Sequence, residues 1–315
     1  MVEHYCTYFD KHYLYMGLTL YQSLLQHAGD FKLWILAFDD ETYQILDQMR
    51  LPRVQVIRES EFVSPDLLAV KDTRSRVEYY WTATPYLPSY IFSREASIDR
   101  VTYLDADLFF FAPPEPIERE FGDASIMIVE HRYSPDQMYL ARESGIYNVS
   151  LLVFRRDANA LACLDWWRAR CLEWCYTHTE EGKMGDQKYL DDWTTRFPGV
   201  VVLQHIGCGV APWNISNYHF VQRDGTVYVD DAPLIFYHFH QFKPLGPKQF
   251  DLVQRYRLSR EHVELIYFPY IEAMQKAIAH VEAVSPDFRG GYFSRDRVYE
   301  LKRIVKRHWH VLTIR

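Results

Sequence analysis

Short apolar segments alternate with stretches of helical periodicity along most of this chain. The apolar runs that predict β-strands are residues 5–9, 33–38, 54–57, 101–104, 125–129, 149–154, 200–203 and 234–239. Between them, apolar residues recur at spacings of three and four, which predicts helices over residues 14–25, 77–92 and 161–176. Pro85 and Pro88 should bend or split the second of these helices. Such alternation is typical of an α/β domain with a mostly parallel sheet flanked by helices.

The hydrophobic pattern changes near residue 245. From Gly246 onward the spacing is helical, so we predict one α/β domain over residues 1–245 and a helical C-terminal extension over residues 246–315. No apolar run approaches the ~18 residues that a membrane-spanning helix needs, which excludes an integral membrane protein.

Composition and charge narrow the class of protein. Hydrophobic residues make up 48% and charged residues 24%, which excludes an intrinsically disordered chain. The net charge of −7 is uneven, because residues 295–315 carry seven basic and two acidic side chains, a net +5, and the remainder sums to −12. An acidic body argues against a nucleic-acid partner, whose phosphates need a broad basic surface.

Cysteine usage and the first residues bear on the compartment. The five cysteines form no CxxC pair, which favours free thiols in a reducing environment over a disulfide framework. Residues 1–6 have neither the basic nor the apolar region of a secretory signal peptide. We therefore expect a cytoplasmic protein.

Two carboxylates follow the strand predicted at residues 101–104. Asp105 and Asp107 stand one residue apart at its carboxyl end, which is where ligands bind in open α/β sheets. A fully extended Asp-x-Asp would point its carboxylates to opposite faces, but a turn can bring both toward one cation. Carboxylate oxygens suit Mg²⁺ or Mn²⁺. The alternative is a solvated turn without a ligand.

Further polar groups stand at the ends of other predicted elements. His238 ends the strand predicted at residues 234–239 and could complete a Mn²⁺ site, with Lys243 beyond it to neutralise a phosphate. The alternative for His238 is a histidine packed in an aromatic core. Asn148 stands at the mouth of a strand, and Asp186 and Gln187 open a helix, where they could bind hydroxyl groups or merely form an acidic first turn.

Taken in chain order, these segments resemble glycosyltransferase family 8, whose members are retaining enzymes of the GT-A fold. The resemblance covers about residues 4–244. The matching segments are Tyr5-Cys6-Thr7-Tyr8-Phe9-Asp10 with Tyr13, Tyr103-Leu104-Asp105-Ala106-Asp107, Tyr147-Asn148-Val149-Ser150, Asp186-Gln187, and His238-Phe239 followed by Lys243-Pro244. The resemblance therefore implies a GT-A fold, a Rossmann-like mixed sheet that binds a nucleotide-diphosphate sugar.

The resemblance also implies roles for individual residues. The nucleotide donor is expected to contact Thr7, Tyr8, Phe9, Asp10, Tyr13, Arg76, Ala106 and Lys243. The metal ligands are expected to be Asp105, Asp107 and His238, with His240 as a rival to His238. Asp186, Gln187 and Asn148 are expected to be the catalytic residues that face the donor sugar. Arg76 is one of two arginines in Arg74-Ser75-Arg76, where the family places a basic residue near the diphosphate.

The expected activity follows from these roles. A divalent cation, Mn²⁺ or Mg²⁺, neutralises the departing diphosphate without a proton donor. The protein should move a hexosyl group from a nucleotide-sugar donor, UDP-linked by the resemblance, to a glycan, lipid-linked or protein acceptor, with retention of configuration.

Three other functions are alternatives to this one. A phosphatase of the haloacid dehalogenase type normally has Thr or Val at the position of Phe109. A nucleotidyltransferase normally begins with a Gly-rich loop, whereas residues 7–10 contain no glycine. A non-catalytic carbohydrate-binding protein could use Trp213, in Ala211-Pro212-Trp213-Asn214, and its aromatic neighbours. Such a protein would bind glycan without Mn²⁺ and would hydrolyse no nucleotide-sugar.

The basic C-terminal tail suggests a membrane partner. Val298, Leu301, Val305, Trp309 and Leu312 would share one side of a helix, with Lys302, Arg303, Lys306 and Arg307 across from or beside it. A basic amphipathic helix of this kind predicts docking on an anionic membrane surface, here the inner face. The alternative is a helix whose apolar stripe packs on the domain.

Overall fold

We describe the fold from a computed structural model, which covers residues 2–294 and 311–314. The eight strands of the first two thirds of the chain are β1 (Glu3–Phe9), β2 (Phe31–Ala37), β3 (Val54–Arg58), β4 (Arg100–Leu104), β5 (Leu108–Phe110), β6 (Ile126–Glu130), β7 (Tyr147–Arg155) and β8 (Val200–Val202). Seven of them form the central sheet, in the order β3-β2-β1-β4-β7-β6-β8. Only β7 runs antiparallel to its neighbours, so the sheet is mixed and mostly parallel, as predicted.

Helices cover both faces of this sheet. The α-helices before the C-terminal region are α1 (Leu14–His27), α2 (Asp40–Met49), α3 (Glu59–Phe62), α4 (Pro65–Lys71), α5 (Arg76–Ala83), α6 (Tyr86–Arg94), α7 (Glu115–Phe121), α8 (Leu140–Ser144), α9 (Ala158–Glu173) and α10 (Trp193–Arg196). Successive residues of a strand point to opposite faces. Leu33 and Ile35 of β2 therefore join the core under α1 and α2, while Trp34 and Leu36 join the core under α5, α6 and α9. Burial on both faces explains the unbroken apolar runs of the sequence.

The helix predicted over residues 77–92 is divided, as its prolines indicated. Helix α5 ends at Ala83 and α6 begins at Tyr86, with Pro85 at the N-terminal cap of α6 and Pro88 in its first turns. Proline lacks the amide hydrogen that an interior helical position must donate, so it is tolerated only at the start of a helix.

The region after β8 departs from the predicted pattern. Its strands are β9 (Phe220–Arg223), β10 (Thr226–Val229), β11 (Ala232–Pro233), β12 (Phe236–His238), β13 (Lys243–Gly246), β14 (Gln249–Asp251) and β15 (Val311–Thr313). The strand predicted at residues 234–239 is shorter, and it pairs with β5 in a separate two-stranded sheet instead of closing the central one. Strands β13, β14 and β15 form a further small sheet.

The predicted helical extension is only partly helical. Helices α11 (Arg260–His262) and α12 (Phe268–Val284) are joined by a π-helical turn, and α12 packs against α1 in the main core. The helix prediction is wrong at residues 249–251 and at Leu312, which lies in β15 opposite Phe250. The rest of the predicted basic helix, residues 295–310, lies outside the described residues. The division into domains 1–245 and 246–315 stays a prediction.

Two further expectations concern membranes and thiols. Within residues 2–294 and 311–314, no helix has both the length and the apolar character needed to cross a bilayer. All five cysteines are buried, and none forms a disulfide, as predicted.

Candidate active site

A tight turn between β4 and β5 carries the two predicted metal-binding carboxylates. The backbone N–H of Asp105 donates to the Ser150 carbonyl of β7 at 2.9 Å, and Leu108 N–H donates to the Asp105 carbonyl at 3.2 Å. The turn breaks the extended alternation, so that both carboxylates face the same side. The turn predicted after this strand is therefore present.

Strand pairing places His238 beside these carboxylates. In the antiparallel pair β5–β12, His238 stands directly opposite Leu108, the residue that follows Asp107. The Phe239 N–H also donates to the Asp107 carbonyl at 2.9 Å, which holds the end of β12 against the turn. The main chain thus sets the position of the imidazole.

The three side chains converge on one point. His238 Nε2 lies 3.1 Å from Asp107 Oδ1 and 3.9 Å from Asp105 Oδ2. One ligand atom from each of the three side chains lies within 4.8 Å of the other two. Among the residues that the structure describes, this is the group of His, Cys, Asp or Glu side chains that could hold a metal ion. Two carboxylate oxygens and one imidazole nitrogen fit Mn²⁺ or Mg²⁺, and the 28% exposure of the Asp105 side chain leaves that ligand accessible.

Electrostatics link the three groups. Burial raises the pKa of Asp105 to about 6, and the charge of Asp107 adds to the rise while His238 opposes it. Burial also acts to raise the pKa of Asp107, but the charge and the hydrogen bond of His238 outweigh it and lower that pKa. Burial disfavours the imidazolium of His238, yet Asp107 and Asp105 together raise its pKa above the ordinary value. The two carboxylates thus stabilise the protonated form of His238, and a divalent cation bound there would compete with that proton.

His240, the rival metal ligand of the sequence analysis, lies outside this group. Its ring packs edge-on against Trp213, with centroids 5.4 Å apart, and lies 5.8 Å from the ring of His238. Burial and the nearby positive charge of His238 lower the pKa of His240 to about 4. His240 is therefore a neutral aromatic neighbour of the cluster, and His238 is the imidazole that faces both carboxylates.

The carboxyl end of β1 reaches the same edge of the sheet. Asp10 is buried, and its Oδ2 accepts a hydrogen bond from Tyr80 Oη at 3.0 Å and lies 3.3 Å from Arg76 Nη1. Tyr8 Oη lies 2.9 Å from Thr84 Oγ1 of the loop between α5 and α6. The structure thus connects the end of the first strand to α5, which carries Arg76.

The other predicted donor contacts divide into buried and accessible residues. Thr7 and Phe9 are fully or almost fully buried, and Phe9 packs tightly against Gly17 of α1. Ala106 lies between the two carboxylates and is 7% exposed. Tyr13 is 38% exposed at the start of α1, and the carboxylates Asp107 and Asp105 add to the effect of burial in raising its pKa. Of these residues, Tyr13 has the most accessible side chain beside the metal cluster.

The basic residues expected near a diphosphate occupy two places. Arg76 faces Asp10, whereas the Arg74 guanidinium stacks on Tyr176 at 4.0 Å and donates to a backbone carbonyl. Of the two arginines, Arg76 is therefore the one beside the first strand. Lys243 begins β13, and its ammonium lies 5.4 Å from the Phe293 ring, which also contacts Tyr13.

Asp186 is a buried carboxyl close to the metal cluster. It is 4% exposed, and within the described part of the chain its Oδ2 has no hydrogen-bond partner. Burial raises its pKa to about 7, and the charge of Asp105 adds to the rise while the Thr84 hydroxyl opposes it. Its backbone carbonyl accepts from Trp167 Nε1 at 2.8 Å, which fixes the loop from the side of α9. A buried carboxyl oxygen without a partner is a candidate for ligand contact.

Asn148 and Gln187 are engaged with the main chain. Asn148 Oδ1 accepts from Ser150 N–H at 2.6 Å, which orients the amide at the start of β7. Gln187 Nε2 donates to the Ser144 carbonyl at 2.7 Å, at the end of α8. Asp186 lies close enough to Asp105 for that charge to affect its pKa, while Gln187 is bonded to the end of α8.

Several residues near the site carried no clear sequence signal. Tyr103 Oη donates to Asp105 Oδ1 at 2.8 Å, and Thr84 lies between Tyr8 and Asp186. His131 stacks on Tyr133 at the end of β6, close enough for the charge of His238 to affect its pKa. Of these residues, only Tyr103 belongs to one of the matching segments, Tyr103-Leu104-Asp105-Ala106-Asp107. The others are brought to the site by pairing and packing across the sheet.

Comparison with known proteins bears on family and fold. No protein-family profile matches the chain. The uncharacterized protein YfnD of Bacillus subtilis strain 168 is 33% identical over 298 residues, covering 94% of this chain and 96% of YfnD. YfnF of the same organism is 32% identical over 303 residues, covering 94% and 99%.

Solved structures of similar fold are glycosyltransferases. The galactosyltransferase LgtC, in complex with donor and acceptor sugar analogs, superposes with a TM-score of 0.50 at 14% identity and covers 95% of this chain and 99% of LgtC. The glycosyltransferase GlyE of Streptococcus pneumoniae TIGR4 gives 0.53 at 13% identity, covering 94% of this chain and 66% of GlyE. The chain therefore has the GT-A glycosyltransferase fold and belongs to the protein family of YfnD and YfnF.

Proposed function

We propose that this protein is a metal-dependent glycosyltransferase. It transfers a hexosyl group from a nucleotide-diphosphate sugar, UDP-linked, to a glycan, lipid-linked or protein acceptor. The observation that carries the proposal is the convergence of Asp105, Asp107 and His238 at the carboxyl edge of a GT-A sheet. Ligands of open α/β sheets bind at that edge.

The surrounding residues suit a nucleotide-sugar donor. A bound divalent cation would supply Lewis-acid neutralisation of the diphosphate. Arg76 lies close enough to Tyr13 for its charge to affect the pKa of that tyrosine, and Lys243 lies near the Phe293 ring, which contacts Tyr13. Both can add positive charge where the diphosphate departs. Asp10 and Tyr13, at the end of β1, are placed to hold the nucleotide.

Asp186 is the group we assign to the donor sugar. Its buried Oδ2 lacks a partner within the described residues, so a sugar hydroxyl would satisfy a hydrogen bond that the protein leaves unmade. When ionised, the carboxylate would also stabilise positive charge on the sugar ring. Retention of configuration rests on the resemblance to family 8.

The non-catalytic alternative used Trp213 and its aromatic neighbours as sugar-stacking rings. Trp213 is only 5% exposed, and its Nε1 donates to the His131 carbonyl at 3.0 Å. A ring held in this way cannot present its face to a sugar, so this residue gives no support to a binding protein without catalysis.

A panel of UDP-, GDP- and ADP-sugars with Mn²⁺, scored by nucleotide release, tests the proposal. We expect release from at least one UDP-sugar, and its loss with EDTA or in Asp107→Asn. Asp165→Asn, an exposed change on α9, is the matched control and should keep full activity. Release that persists with EDTA, or glycan binding with no release from any donor, would contradict the proposal.

A further inference from the structure

A chain of aromatic rings begins at the metal cluster, is buried at its inner end, and is not used by the donor site described above. His131 stacks on Tyr133, with centroids 4.5 Å apart and planes at 10°, and Trp213 packs edge-on against both His131 and His240. His240 in turn lies 6.4 Å from the ring of Tyr256. The rings therefore form a continuous path outward from His238.

The outer end of this path is exposed to solvent. Tyr139 is 58% exposed, Met138 54% and Ile146 44%, three of the most exposed large apolar side chains among the described residues. Burial raises the pKa of Tyr256 to about 12, and Tyr139 is close enough to add to the rise. Contiguous exposed apolar side chains are typical of a binding surface, and Met138 and Tyr139 are adjacent in the chain.

The segment that carries these exposed side chains is bonded to residues 187–191, which follow Asp186. Lys188 Nζ reaches the Ala141 carbonyl at 3.4 Å, and Asp191 Oδ1 accepts from Ile146 N–H at 2.7 Å. Gly145 has a φ of 98°, and a Cβ there would lie 2.9 Å from Asp191 Oδ1, so only glycine allows this approach. With the Gln187 bond, these contacts hold the end of this segment, residues 141–146, in place.

The side chains of this aromatic region favour a sugar ring as the ligand. Sugars present an apolar face of C–H groups that aromatic rings cover, and hydroxyls at the ring edge that need polar partners. The His240 ring offers a nitrogen, and Tyr256 and Tyr139 offer hydroxyl groups that can bond to the edge of a sugar ring. A second sugar seated here would lie next to the metal cluster.

We propose that Tyr139, Tyr256 and His240 form the acceptor subsite, and that they bind the apolar face of a sugar ring beside the donor. This inference rests on the proposed glycosyltransferase function. It assigns acceptor recognition to these three residues and donor recognition to the end of β1, so the two can be separated by mutation.

The test uses the full chain with UDP and Mg²⁺, and methyl α- and β-glycosides of glucose, galactose and N-acetylglucosamine as probes. Binding is followed by saturation-transfer NMR, and acceptor-independent hydrolysis of UDP-sugar is measured in parallel. We expect at least one glycoside to bind, and Tyr139→Ala and Tyr256→Ala to weaken it about tenfold each through loss of ring contact. Hydrolysis and UDP affinity should stay unchanged.

Two further variants separate stacking from structural damage. Tyr256→Phe keeps the ring and should keep most of the binding. Tyr90→Ala removes a half-buried ring that packs on Phe62 at the outer side of α6, and it should leave glycoside binding intact. Tyr139 is largely exposed, so Tyr139→Ala should fold normally.

The outcomes distinguish this inference from the proposed function. If wild-type protein hydrolyses a UDP-sugar but binds no glycoside, or if the alanine variants bind as wild type, the acceptor subsite is wrong. Loss of UDP affinity together with glycoside affinity would also overturn it. If a glycoside binds through Tyr256 but no nucleotide is released from any donor, the proposed transferase activity is wrong, while these residues still bind a sugar.

Discussion

Asp107 and His238 face each other across the antiparallel pair β5–β12, with Nε2 3.1 Å from Oδ1. The two residues are far apart in the chain, and the register of the pair alone brings them together. Since His238 is protonated more readily than an ordinary histidine, it balances the carboxylates in the metal-free protein. The same geometry becomes a cation site once that proton leaves.

Replacing either carboxylate should abolish metal-dependent donor binding. Asp105→Asn and Asp107→Asn each remove a negative ligand, and we expect turnover to fall ~10²-fold or more. Calorimetry with UDP and Mn²⁺ should show the loss of cation and nucleotide binding together. Asp165→Asn serves as the control, and normal Mn²⁺ affinity in both site variants would contradict the assignment.

Binding of Mn²⁺ should strengthen as pH rises from 5 to 8. Protons on Asp105, whose pKa is about 6, and on His238, whose pKa is raised, compete with the cation. The raised pKa of His238 also stabilises the metal-free fold at low pH, and that contribution is lost as pH rises through it. Titration calorimetry across this range checks the trend, which His238→Gln should flatten. A pH-independent affinity in wild-type protein would be incompatible with these ligands.

Asp186→Asn should stabilise the empty protein at high pH. The pKa of Asp186 is about 7 in the fold against an ordinary value of 3.8, so ionisation of the buried carboxyl lowers stability as pH rises from about 4 through 7. The variant has no such loss. Thermal melts should therefore show the melting temperature of the variant rising relative to wild type over this range, and parallel curves would show that Asp186 ionises freely.

The same substitution should separate sugar contact from nucleotide contact. We expect Asp186→Asn to lower turnover strongly while UDP affinity with Mn²⁺ stays near the wild-type value, because the assigned partner of Asp186 is the sugar. Nucleotide-release kinetics and calorimetry measure the two quantities. An equal fall in UDP affinity would assign Asp186 a structural role.

Glu78→Gln should destabilise the fold without changing the affinity for Mn²⁺. Its carboxylate accepts from the backbone N–H groups of Ser75 and Thr177, both at or below 2.9 Å, and from the Thr177 hydroxyl. Burial opposes ionisation, yet these bonds lower the pKa of Glu78 to about 2. Stability from this group is present above pH 4.5 and is lost as pH falls toward 2. We expect a loss of about 2 kcal/mol at neutral pH by urea unfolding, and none for the exposed control Glu61→Gln.

The basic tail predicts recruitment to anionic membranes. Each basic side chain near such a surface contributes about 1 kcal/mol, so full-length protein should float with anionic vesicles at low salt and detach at high salt. Truncation after Ser294 would also remove β15, whose Leu312 packs opposite Phe250. Replacing Lys302, Arg303, Lys306 and Arg307 by Gln keeps that strand and should abolish flotation. Equal flotation of the variant, or none of the wild type, would contradict the prediction.

Local pattern determined much of this protein. The apolar runs of β1, β2 and β4 predict strands because both faces of the sheet are buried, and each run needs no knowledge of its partners. The split at Pro85 follows from the chemistry of proline alone. The Asp105–Asp107 pair and its turn were equally readable, since a strand and the residues after it are contiguous in the chain.

Only the tertiary structure decided which distant residues meet. The pairing of β12 with β5 selects His238 over His240, and that register depends on contacts between segments that local periodicity does not relate. Short edge strands such as β14 and β15 carry no pattern of their own, because each is defined by its partner. Gln187 matched a family motif, yet its amide is engaged by the Ser144 carbonyl. A motif specifies residue type and spacing, whereas a hydrogen bond also requires the position of the other chain segment, which only the packed fold supplies.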